Sequence, residues 1–393
     1  RETMELEAAA ILPTDAEQAC LIGRVWNPEV SGPCVVVYRD GDLLDITPSF
    51  PTVRDLQEQT DPATAVAQTT GPSLGSLAEI LENSLEPEVN PDRPRLLAPV
   101  DLQAVKACGV TFAESLLERV IEEQAKGDAK QAERIREEVQ SRIGSDLSQV
   151  KPGSEAAQEL KQLLIERKLW SQYLEVGIGP DPEVFSKAQP MASVGLGAWV
   201  GLHPISSWNN PEPEVVLAIN SRAEIVGAML GNDVNLRDVE GRSALLLGKA
   251  KDNNASCSLG PFLRLFDANF SLEDVKQVEV ELVIIGPEGF RLDGSSSMNR
   301  ISRSPEELTQ ATIGPHHQYP DGLVLFLGTM FAPTKDRDTP GEGFTHKVGD
   351  WVTIKTPRLG ALSNQVALSP DCLPWTFGTA DLMRNLARRG LLN

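Results

Sequence analysis

The sequence predicts an α+β, β-rich protein whose helices are concentrated in one insert. Three observations support this fold class. Short apolar runs separated by turn residues dominate from residue 198 onward, as expected for strands. Helical periodicity is strongest in residues 111–173, between regions with strand patterns. The chain has 393 residues, 41% of them hydrophobic, which is enough for a large core and two domains.

Residues 1–99 are predicted to form a small N-terminal α/β domain followed by a linker. The segment Arg39-Asp40-Gly41-Asp42 has the composition of a hairpin turn. Residues 86–99 contain four prolines and are interpreted as the linker, so residues 100–393 become the catalytic domain. The predicted strands are 20–25, 34–38 and 42–45, and the predicted helices are 53–59 and 76–83.

Residues 111–173 are predicted to be a helical insert that acts as a lid. Apolar residues recur at helical spacing from 111 to 143, and Gly127-Asp128 is expected to divide this stretch into two helices. A third helix is expected to begin at Pro152-Gly153-Ser154 and to continue to about Tyr173. Because the insert is acidic and lies between β elements, we expect it to cover a binding site.

The rest of the chain is predicted to consist mainly of strands. A hairpin is expected from 278–285 and 290–292, joined by Gly286-Pro287-Glu288-Gly289. Ser304-Pro305-Glu306-Glu307 has the composition of a helix start, with proline in the first turn. Further strands are predicted at 323–327 and 351–356, and a final amphipathic helix at 379–389 is expected to end before Gly390.

Three carboxylates are predicted to meet at one end of a β-hairpin within residues 211–233. Glu212 and Glu214 are two positions apart, so in an extended strand both side chains project to the same face. Asp233 follows the returning strand, which brings it back to the same end. Without a cation these carboxylates would repel one another. Their oxygens are ligands suited to Mg²⁺, Mn²⁺ or Ca²⁺, so the sequence predicts a metal site.

Composition excludes several classes of partner. The net charge is −20, from 56 acidic and 36 basic residues, which argues against binding to nucleic acids or anionic membranes. The five cysteines are scattered and form no CxxC motif, as expected for free thiols in a reducing cytoplasm. No apolar run approaches the roughly 18 residues of a membrane span, and the first residues do not resemble a signal peptide. A cytoplasmic location is therefore expected.

The motifs, taken in order, resemble the fumarylacetoacetate hydrolase family over roughly residues 100 to 370. Glu-x-Glu at 212–214 is followed by Asn-Asp-x-x-x-Arg-Asp at 232–238 and by Lys251 nine residues before Gly260-Pro261. The other matching segments are Cys108-Gly109-Val110-Thr111-Phe112, Pro182-Glu183-Val184-Phe185-Ser186-Lys187, Leu327-Gly328-Thr329 and Val348-Gly349-Asp350-Trp351-Val352-Thr353-Ile354.

The resemblance implies a fumarylacetoacetate hydrolase-like mixed β-sheet domain and roles for several residues around the metal. Lys251 is expected to face the substrate, where a cation stabilises an enolate oxygen or holds a carboxylate. Thr329 is expected to donate a hydrogen bond to the substrate's carboxylate. Arg237 lies beside the site, either contacting substrate or forming a structural ion pair with Asp238. Lys187 is expected to be mainly structural.

The chain departs from the family pattern at Ser115. Hydrolases of this family carry a histidine at this position and a glutamate three residues later, and the pair activates water for C–C bond cleavage. Here the glutamate is present as Glu118, but serine cannot act as the water-activating base at neutral pH. Glu114 is a further catalytic candidate, although Thr111-x-x-Glu114 also has the composition of a capping box.

These features resemble the sugar-acid branch of the family, which dehydrates 2-keto-3-deoxypentonates to α-ketoglutaric semialdehyde. We hypothesise that Mg²⁺ (or Mn²⁺) on the three carboxylates chelates the 2-keto acid. Lys251 would then stabilise the enolate, and Glu118 would move the C3 proton to the leaving hydroxyl with Ser115 ordering water. The alternative is a C–C bond hydrolase or retro-aldol lyase acting on a 2,4-diketo or hydroxy-keto acid. A non-catalytic acyl-binding module is disfavoured by the intact acidic triad. Family members commonly form homodimers or homotetramers, and the same is expected here.

Overall fold

The computed structural model describes residues 6–393, apart from the side chain at position 145. Residues 1–5 lie outside the described residues, and so does this part of the prediction that the chain does not begin with a signal peptide. Within the described part, no helix is both long enough and apolar enough to cross a membrane. Regular structure comprises both strands and helices, in agreement with the predicted α+β class.

The strands are β1 (Leu21–Asn27), β2 (Gly32–Arg39), β3 (Asp42–Asp45), β4 (Ser73–Ser76), β5 (Arg95–Leu97), β6 (Ala104–Gly109), β7 (Glu183–Ala188), β8 (Trp199–Leu202), β9 (Asn209–Asn210), β10 (Pro213–Ile219), β11 (Ile225–Asp233), β12 (Asn235–Leu236), β13 (Cys257–Leu265), β14 (Glu279–Ile285), β15 (Arg291–Ser297), β16 (Leu323–Phe326), β17 (Trp351–Thr356) and β18 (Gly360–Leu368). The α-helices are α1 (Ala8–Ile11), α2 (Val53–Gln57), α3 (Pro62–Ala67), α4 (Leu77–Leu85), α5 (Ala113–Gln124), α6 (Ala129–Gln149), α7 (Glu155–Glu166), α8 (Gln172–Ile178), α9 (Arg237–Arg242), α10 (Leu247–Lys251), α11 (Leu272–Val275), α12 (Pro305–Thr312) and α13 (Thr379–Arg388).

Two mixed sheets contain most of these strands. The larger sheet has 11 strands in the order β4-β3-β2-β1-β13-β11-β10-β16-β6-β7, with β5 paired to β1. Its pairs are antiparallel except for β16 with β6, which are parallel. The smaller sheet has the order β15-β14-β17-β18-β8 and ends in a parallel pair. The predicted hairpin of residues 278–292 is confirmed as β14 and β15.

The larger sheet is buried on both faces, as the side chains of its central strand β10 show. Val215, Leu217 and Ile219 pack into the core that also contains the smaller sheet, while Val216 and Ala218 pack into a second core. Successive side chains of a strand point to opposite faces, so this alternation requires cover on both sides. Helices α2 and α3 contribute to the second core, and all seven residues of β10 are buried.

The N-terminal strands do not form a sheet of their own. Strand β1 pairs with β13 of the predicted catalytic domain, with Leu21 opposite Arg264 and Ile22 opposite Leu263. The segment interpreted as a linker contains β5, which pairs with β1. The boundary at residue 99 stays a prediction, but it does not coincide with a break in the sheet. The predicted turn Arg39-Asp40-Gly41-Asp42 is confirmed, with Arg39 opposite Asp42.

The helical insert consists of four helices, α5 to α8, with their own apolar core. The predicted division at Gly127-Asp128 is confirmed, because α5 ends before it and α6 begins after it. The prediction of one helix from 154 to about Tyr173 is wrong. Helix α7 ends at Glu166, Lys168 takes a left-handed conformation (φ 57°), and Ser171 caps a separate helix α8.

The predicted capping box at Thr111 and Glu114 is also wrong. Helix α5 begins after Phe112, without a side-chain cap. The Thr111 hydroxyl is buried and donates to the carbonyl of Leu327 at 2.7 Å, so a partner distant in sequence replaces the local one. By contrast, the predicted start at Ser304 is confirmed, since its hydroxyl accepts from the Glu307 N–H.

Candidate active site

Glu212, Glu214 and Asp233 meet at one end of the hairpin formed by β10 and β11. Each offers a carboxylate oxygen, and these three oxygens lie within 4.8 Å of one another. The Asp233 N–H donates to the Glu212 carbonyl at 3.0 Å, which continues the strand pairing to the carboxylates. Asp233 is the last residue of β11 rather than a residue beyond it. The predicted convergence of three carboxylates is thus present in the structure.

Backbone and amide groups fix the carboxylate end of the hairpin. The Glu212 N–H donates to the Asn232 side chain at 3.2 Å, and the Gly328 N–H donates to Glu214 Oε2 at 2.8 Å. Gly328 has φ 105°, and a Cβ on it would lie 2.0 Å from Thr111 Oγ1. Only glycine therefore allows this N–H to reach Glu214.

The Thr329 hydroxyl is engaged within the protein, whereas donation from the Thr329 backbone N–H to the substrate's carboxylate stays a prediction. The side chain is buried, and its hydroxyl donates to the Phe331 carbonyl at 2.9 Å. The hydroxyl thus stabilises the turn after β16. One functional N–H of this turn comes from the neighbouring Gly328.

The acidic triad has the donor set of a hard divalent cation. Glu214 Oε1 is buried and has no hydrogen-bond partner among the described residues. Burial raises the pKa of Glu214 well above its ordinary value, and the nearby Asp233 and Glu212 raise it further. An unpartnered oxygen in a buried cluster of carboxylates is the arrangement that a cation would complete. The residues therefore fit Mg²⁺ or Mn²⁺.

Two buried lysines contact the triad. Lys251, at the end of α10, places its ammonium against Glu212 Oε1 and 3.2 Å from Asp233 Oδ2. The Lys187 ammonium lies 2.8 Å from Asp233 Oδ1 and donates to the Val234 carbonyl at 2.9 Å. Burial alone would raise the pKa of Asp233, but Lys187 and Lys251 hold it below the ordinary value. The position of Lys251 agrees with a substrate-facing cation, and Lys187 contacts the site directly.

Arg119, which the sequence did not single out, joins the insert to the triad. Its Nη2 donates to Glu212 Oε2, and its Nη1 donates to both oxygens of Glu122 at 2.7 and 2.6 Å. Arg237 in turn donates to Glu122 at 2.6 Å and to Glu118 at 2.7 Å. A continuous series of ion pairs therefore leads from helix α5 to the metal ligands.

Glu118 is placed differently from its predicted role in proton transfer. It accepts from Arg136 at 2.8 and 2.9 Å and from Arg237 at 2.7 Å. Burial alone would raise its pKa, but these two guanidinium groups lower it. A carboxylate held ionised by two arginines is a poor proton carrier. We therefore reinterpret Glu118 as a residue that positions the insert.

Arg237 does not form the predicted ion pair with Asp238. Its guanidinium faces Glu118 and Glu122 and lies over the Trp208 ring, 4.3 Å from the centroid. Asp238 instead accepts from Ser206 Oγ at 2.7 Å. Arg237 is buried and engaged with protein carboxylates, which leaves the substrate-binding role without support from its contacts.

Ser115 and Glu114 have no ion pair or hydrogen bond with the triad within the described residues. The Ser115 hydroxyl is buried and donates to the Phe112 carbonyl at 2.9 Å, inside the first turn of α5. Glu114 is exposed and lies 3.5 Å from Arg300. These contacts support a structural role for Ser115 and do not support catalysis by Glu114.

Glu183 on β7 is a carboxylate that the sequence analysis missed. Its side chain forms no ion pair or hydrogen bond with the described residues. Burial raises the pKa of this carboxyl to about 7, and the negative charge of Glu240 raises it further. Its Oε2 lies where a side chain on Gly109 would begin, 2.1 Å from an added Cβ. Burial also raises the pKa of Glu212 to about 8, but that carboxylate is bonded to Lys251 and Arg119. Glu183 is thus a carboxyl group with a pKa near neutrality and no ion pair among the described residues.

The alternation along β7 is the signal that identifies Glu183. Glu183 and Phe185 are two positions apart, before the irregularity in strand pairing at Lys187, so their side chains project to one face of the strand. Lys187 contacts Asp233, and the Phe185 ring lies 5.4 Å from the Lys251 ammonium. Glu183 shares the face that meets the acidic triad.

Comparison with known proteins identifies the domain that contains this site. Residues 182–367 match the family described as Fumarylacetoacetate (FAA) hydrolase C-terminal. A "Probable 2-keto-3-deoxyxylonate dehydratase" of Haloferax volcanii is 32% identical over 201 residues, 51% of this chain and 65% of that protein. The "2-dehydro-3-deoxy-D-arabinonate dehydratase" of Saccharolobus solfataricus is 30% identical over 185 residues, 47% of this chain and 58% of that protein. The matched segments thus span less than two thirds of either relative.

A solved structure supports the same fold. The 2-keto-3-deoxy-D-arabinonate dehydratase complexed with magnesium and 2,5-dioxopentanoate superposes with a TM-score of 0.60 at 21% identity. The superposition covers 88% of this chain and 99% of that one. Residues 182–367 are therefore similar to the fumarylacetoacetate hydrolase family, and the chain has the fold of this dehydratase.

Proposed function

We propose that this protein is a hydro-lyase that removes water from a 2-keto-3-deoxypentonate to give α-ketoglutaric semialdehyde. The observation that carries the proposal is the meeting of Glu212, Glu214 and Asp233 with Lys251. The Glu183 carboxyl lies near enough for the charges of Lys251 and Asp233 to act on its pKa. The names of the two curated relatives support this substrate class. So does the product-bound dehydratase of similar fold.

Glu212, Glu214 and Asp233 would hold Mg²⁺ or Mn²⁺. When bound, such an ion supplies Lewis acidity that polarises a 2-keto group and makes the adjacent C3 proton more acidic. The residues of the chain then determine where that proton goes.

We assign proton transfer to Glu183 and charge stabilisation to Lys251. Ionised Glu183 takes a proton from C3, and the Lys251 ammonium stabilises the negative charge that develops on the keto oxygen. The protonated Glu183 returns the proton to the departing C4 hydroxyl, which leaves as water. A C3=C4 double bond forms, and transfer of a proton from C5 to C3 gives an enol with a C4=C5 double bond. Loss of the enol's hydroxyl proton and protonation of C4 then give the C5 aldehyde.

Ser115 supports a lyase over a hydrolase. Hydrolysis of a C–C bond needs a base with a pKa near the working pH within hydrogen-bond reach of water. The serine at this position has no such group, and its hydroxyl is already bonded to the Phe112 carbonyl. Glu118 is engaged with two arginines and does not replace the missing base.

The test is product analysis with defined substrates. The protein is incubated with Mg²⁺ and 2-keto-3-deoxypentonates of xylonate and arabinonate configuration, and the product is identified by mass and by trapping of the aldehyde. We expect a product lighter than the substrate by one water. Faster cleavage of an acylpyruvate or a 2,4-diketo acid would instead favour the hydrolase alternative.

The proposal includes a cytoplasmic location and a homodimer or homotetramer. The five cysteines of the chain are free thiols in the structure, as expected in a reducing compartment. Light scattering coupled to size-exclusion chromatography measures the oligomeric state directly. A monomer at micromolar concentration would contradict this part of the proposal.

A further inference from the structure

Arg119 is a buried cation shared between the helical insert and the metal ligands. Its side chain lies among three carboxylates, donating to Glu212 and Glu122 and approaching Glu240 Oε1 at 3.5 Å. Glu212 is 93 residues away in sequence, so this contact exists only because α5 packs against the end of the hairpin.

Both oxygens of the ligand Glu212 are bonded to cations. Lys251 contacts Oε1 and Arg119 contacts Oε2. Asp233 is similarly compensated by Lys187 and Lys251. Three protein cations therefore compensate the charge of the triad, and a divalent ion has to compete with them for the carboxylate oxygens.

Of these three cations, Arg119 is the one that has carboxylate partners outside the triad, because the ammonium groups of Lys187 and Lys251 pair, within the described residues, only with Asp233 and Glu212. Lys187 lies on a strand of the large sheet and donates to two backbone carbonyls, those of Val234 and Lys251. Arg119 has a long side chain on a helix of the insert, outside both sheets. It also keeps Glu122 and Glu240 as partners after leaving Glu212, so its charge stays compensated.

We propose that Arg119 is a displaceable counter-ion that occupies Glu212 in the metal-free protein and releases it when a divalent cation binds. The release breaks an ion pair between α5 and the hairpin, so metal binding loosens the insert before substrate arrives. This inference rests on the proposed function only in requiring that the acidic triad binds a divalent cation.

The first test compares Arg119→Met with the native protein. Methionine keeps much of the length and removes the charge. We expect Mn²⁺, followed by calorimetry, to bind about tenfold more tightly, because the ion no longer has to break a hydrogen bond between charged groups. We also expect the urea midpoint in the presence of a chelator to fall, because Glu212 loses a counter-ion. If Arg119 had only a structural role, the substitution would lower both the Mn²⁺ affinity and the urea midpoint.

Arg136→Met is the matched control. Arg136 pairs with Glu118 and Glu133 in the same insert and has no ion pair with the triad among the described contacts. We expect its Mn²⁺ affinity to equal that of the native protein. Tighter binding in both variants would show a general loosening of the insert and would overturn the specific role of Arg119.

Hydrogen exchange of the native protein keeps the inference testable if Arg119→Met does not fold. With Mg²⁺ and no substrate, the amides of α5 should exchange about tenfold faster than with chelator, because the bond between Arg119 and Glu212 is lost. Equal or slower exchange would overturn the inference.

If Mn²⁺ does not bind the native protein at millimolar concentration, the proposed metal site itself fails. Normal Mn²⁺ binding with unchanged affinity in Arg119→Met would refute only the role of Arg119.

Discussion

Glu118 and Glu183 have pKa values shifted in opposite directions by their neighbours. Glu118 faces Arg136 and Arg237, which lower its pKa, whereas Glu183 has no ion pair in the described structure and a pKa raised to about 7. A proton-transfer group works best with a pKa near the working pH. At the scale of single residues, burial and charge partners therefore decide which carboxylate fits the chemistry.

Glu183→Gln should reduce kcat for dehydration by about 10²-fold or more, the lower range for general acid–base catalysis. Binding of pyruvate with Mg²⁺ should change little, since the acidic triad is intact. Because the ionised carboxylate takes the C3 proton, native kcat/KM should rise with pH through about 7, and the variant should lose this limb. Glu159→Gln, at an exposed position of α7, is the control. Retained activity in Glu183→Gln would exclude the assignment.

Metal binding should release a proton from Glu214. Burial and the neighbouring acids raise its pKa, so the metal-free carboxyl is protonated below that raised value, whereas a bound cation requires the ionised form. Mn²⁺ affinity should therefore rise with pH, and calorimetry in two buffers of different ionisation enthalpy should detect the released proton. A chelator should abolish turnover, and Glu214→Gln should weaken Mn²⁺ binding and release fewer protons than the native protein. Binding that is independent of pH would contradict this account.

At the scale of elements, the site depends on how a turn meets a hairpin. The turn after β16 places the Gly328 N–H on Glu214, and the Thr111 hydroxyl from the loop before α5 fills the space beside it. Three segments distant in sequence thus hold one carboxylate. Their positions are set by the pairing of β16 with β10 and β6.

Gly328→Ala should destabilise the protein by roughly 1–3 kcal/mol, the cost of holding a non-glycine residue in an unfavourable backbone conformation. The added Cβ would also meet Thr111 Oγ1 at 2.0 Å and move the N–H away from Glu214. Urea denaturation measures the free energy of unfolding. Gly378→Ala, whose Cβ would meet nothing within 4 Å, should change it by no more than about 0.5 kcal/mol. Equal effects of the two substitutions would show that the turn at Gly328 is tolerant.

At the scale of the whole molecule, the large sheet runs across the predicted domain boundary. Strands β1 to β5 come from the first 99 residues and add to β13 of the catalytic region. Removing them would expose a long edge at β13, all of whose residues are buried here.

We therefore expect residues 6–99 and 100–393 to unfold in one cooperative transition. Hydrogen exchange of β2 and of β10 in urea should give the same midpoint, because both strands belong to one hydrogen-bonded sheet. A fragment starting at residue 100 should be insoluble or unfolded. Two separated transitions, or a folded fragment, would instead support an independent N-terminal domain.

The sequence by itself determined the features that depend on near neighbours. The spacing of Glu212 and Glu214 places both on one face of a strand, and the hairpin returns Asp233 to the same end. The hairpin turn at Asp40-Gly41 and the helix break at Gly127 follow from the same local chemistry. These features need only a strand period, a turn length and a residue tolerant of positive φ.

Only the tertiary structure decided which charges are paired. Arg119 reaches Glu212 across 93 residues, and Arg237 reaches Glu118 across 119, so no local pattern predicts either contact. Those long-range ion pairs occupy Glu118, to which the sequence analysis gave the proton transfer, and leave the Glu183 side chain without an ion pair in the described structure. The pairing of β1 with β13 likewise joins two regions that composition separates. Burial and charge compensation arise when distant segments pack together, and they fix the chemistry of each carboxylate.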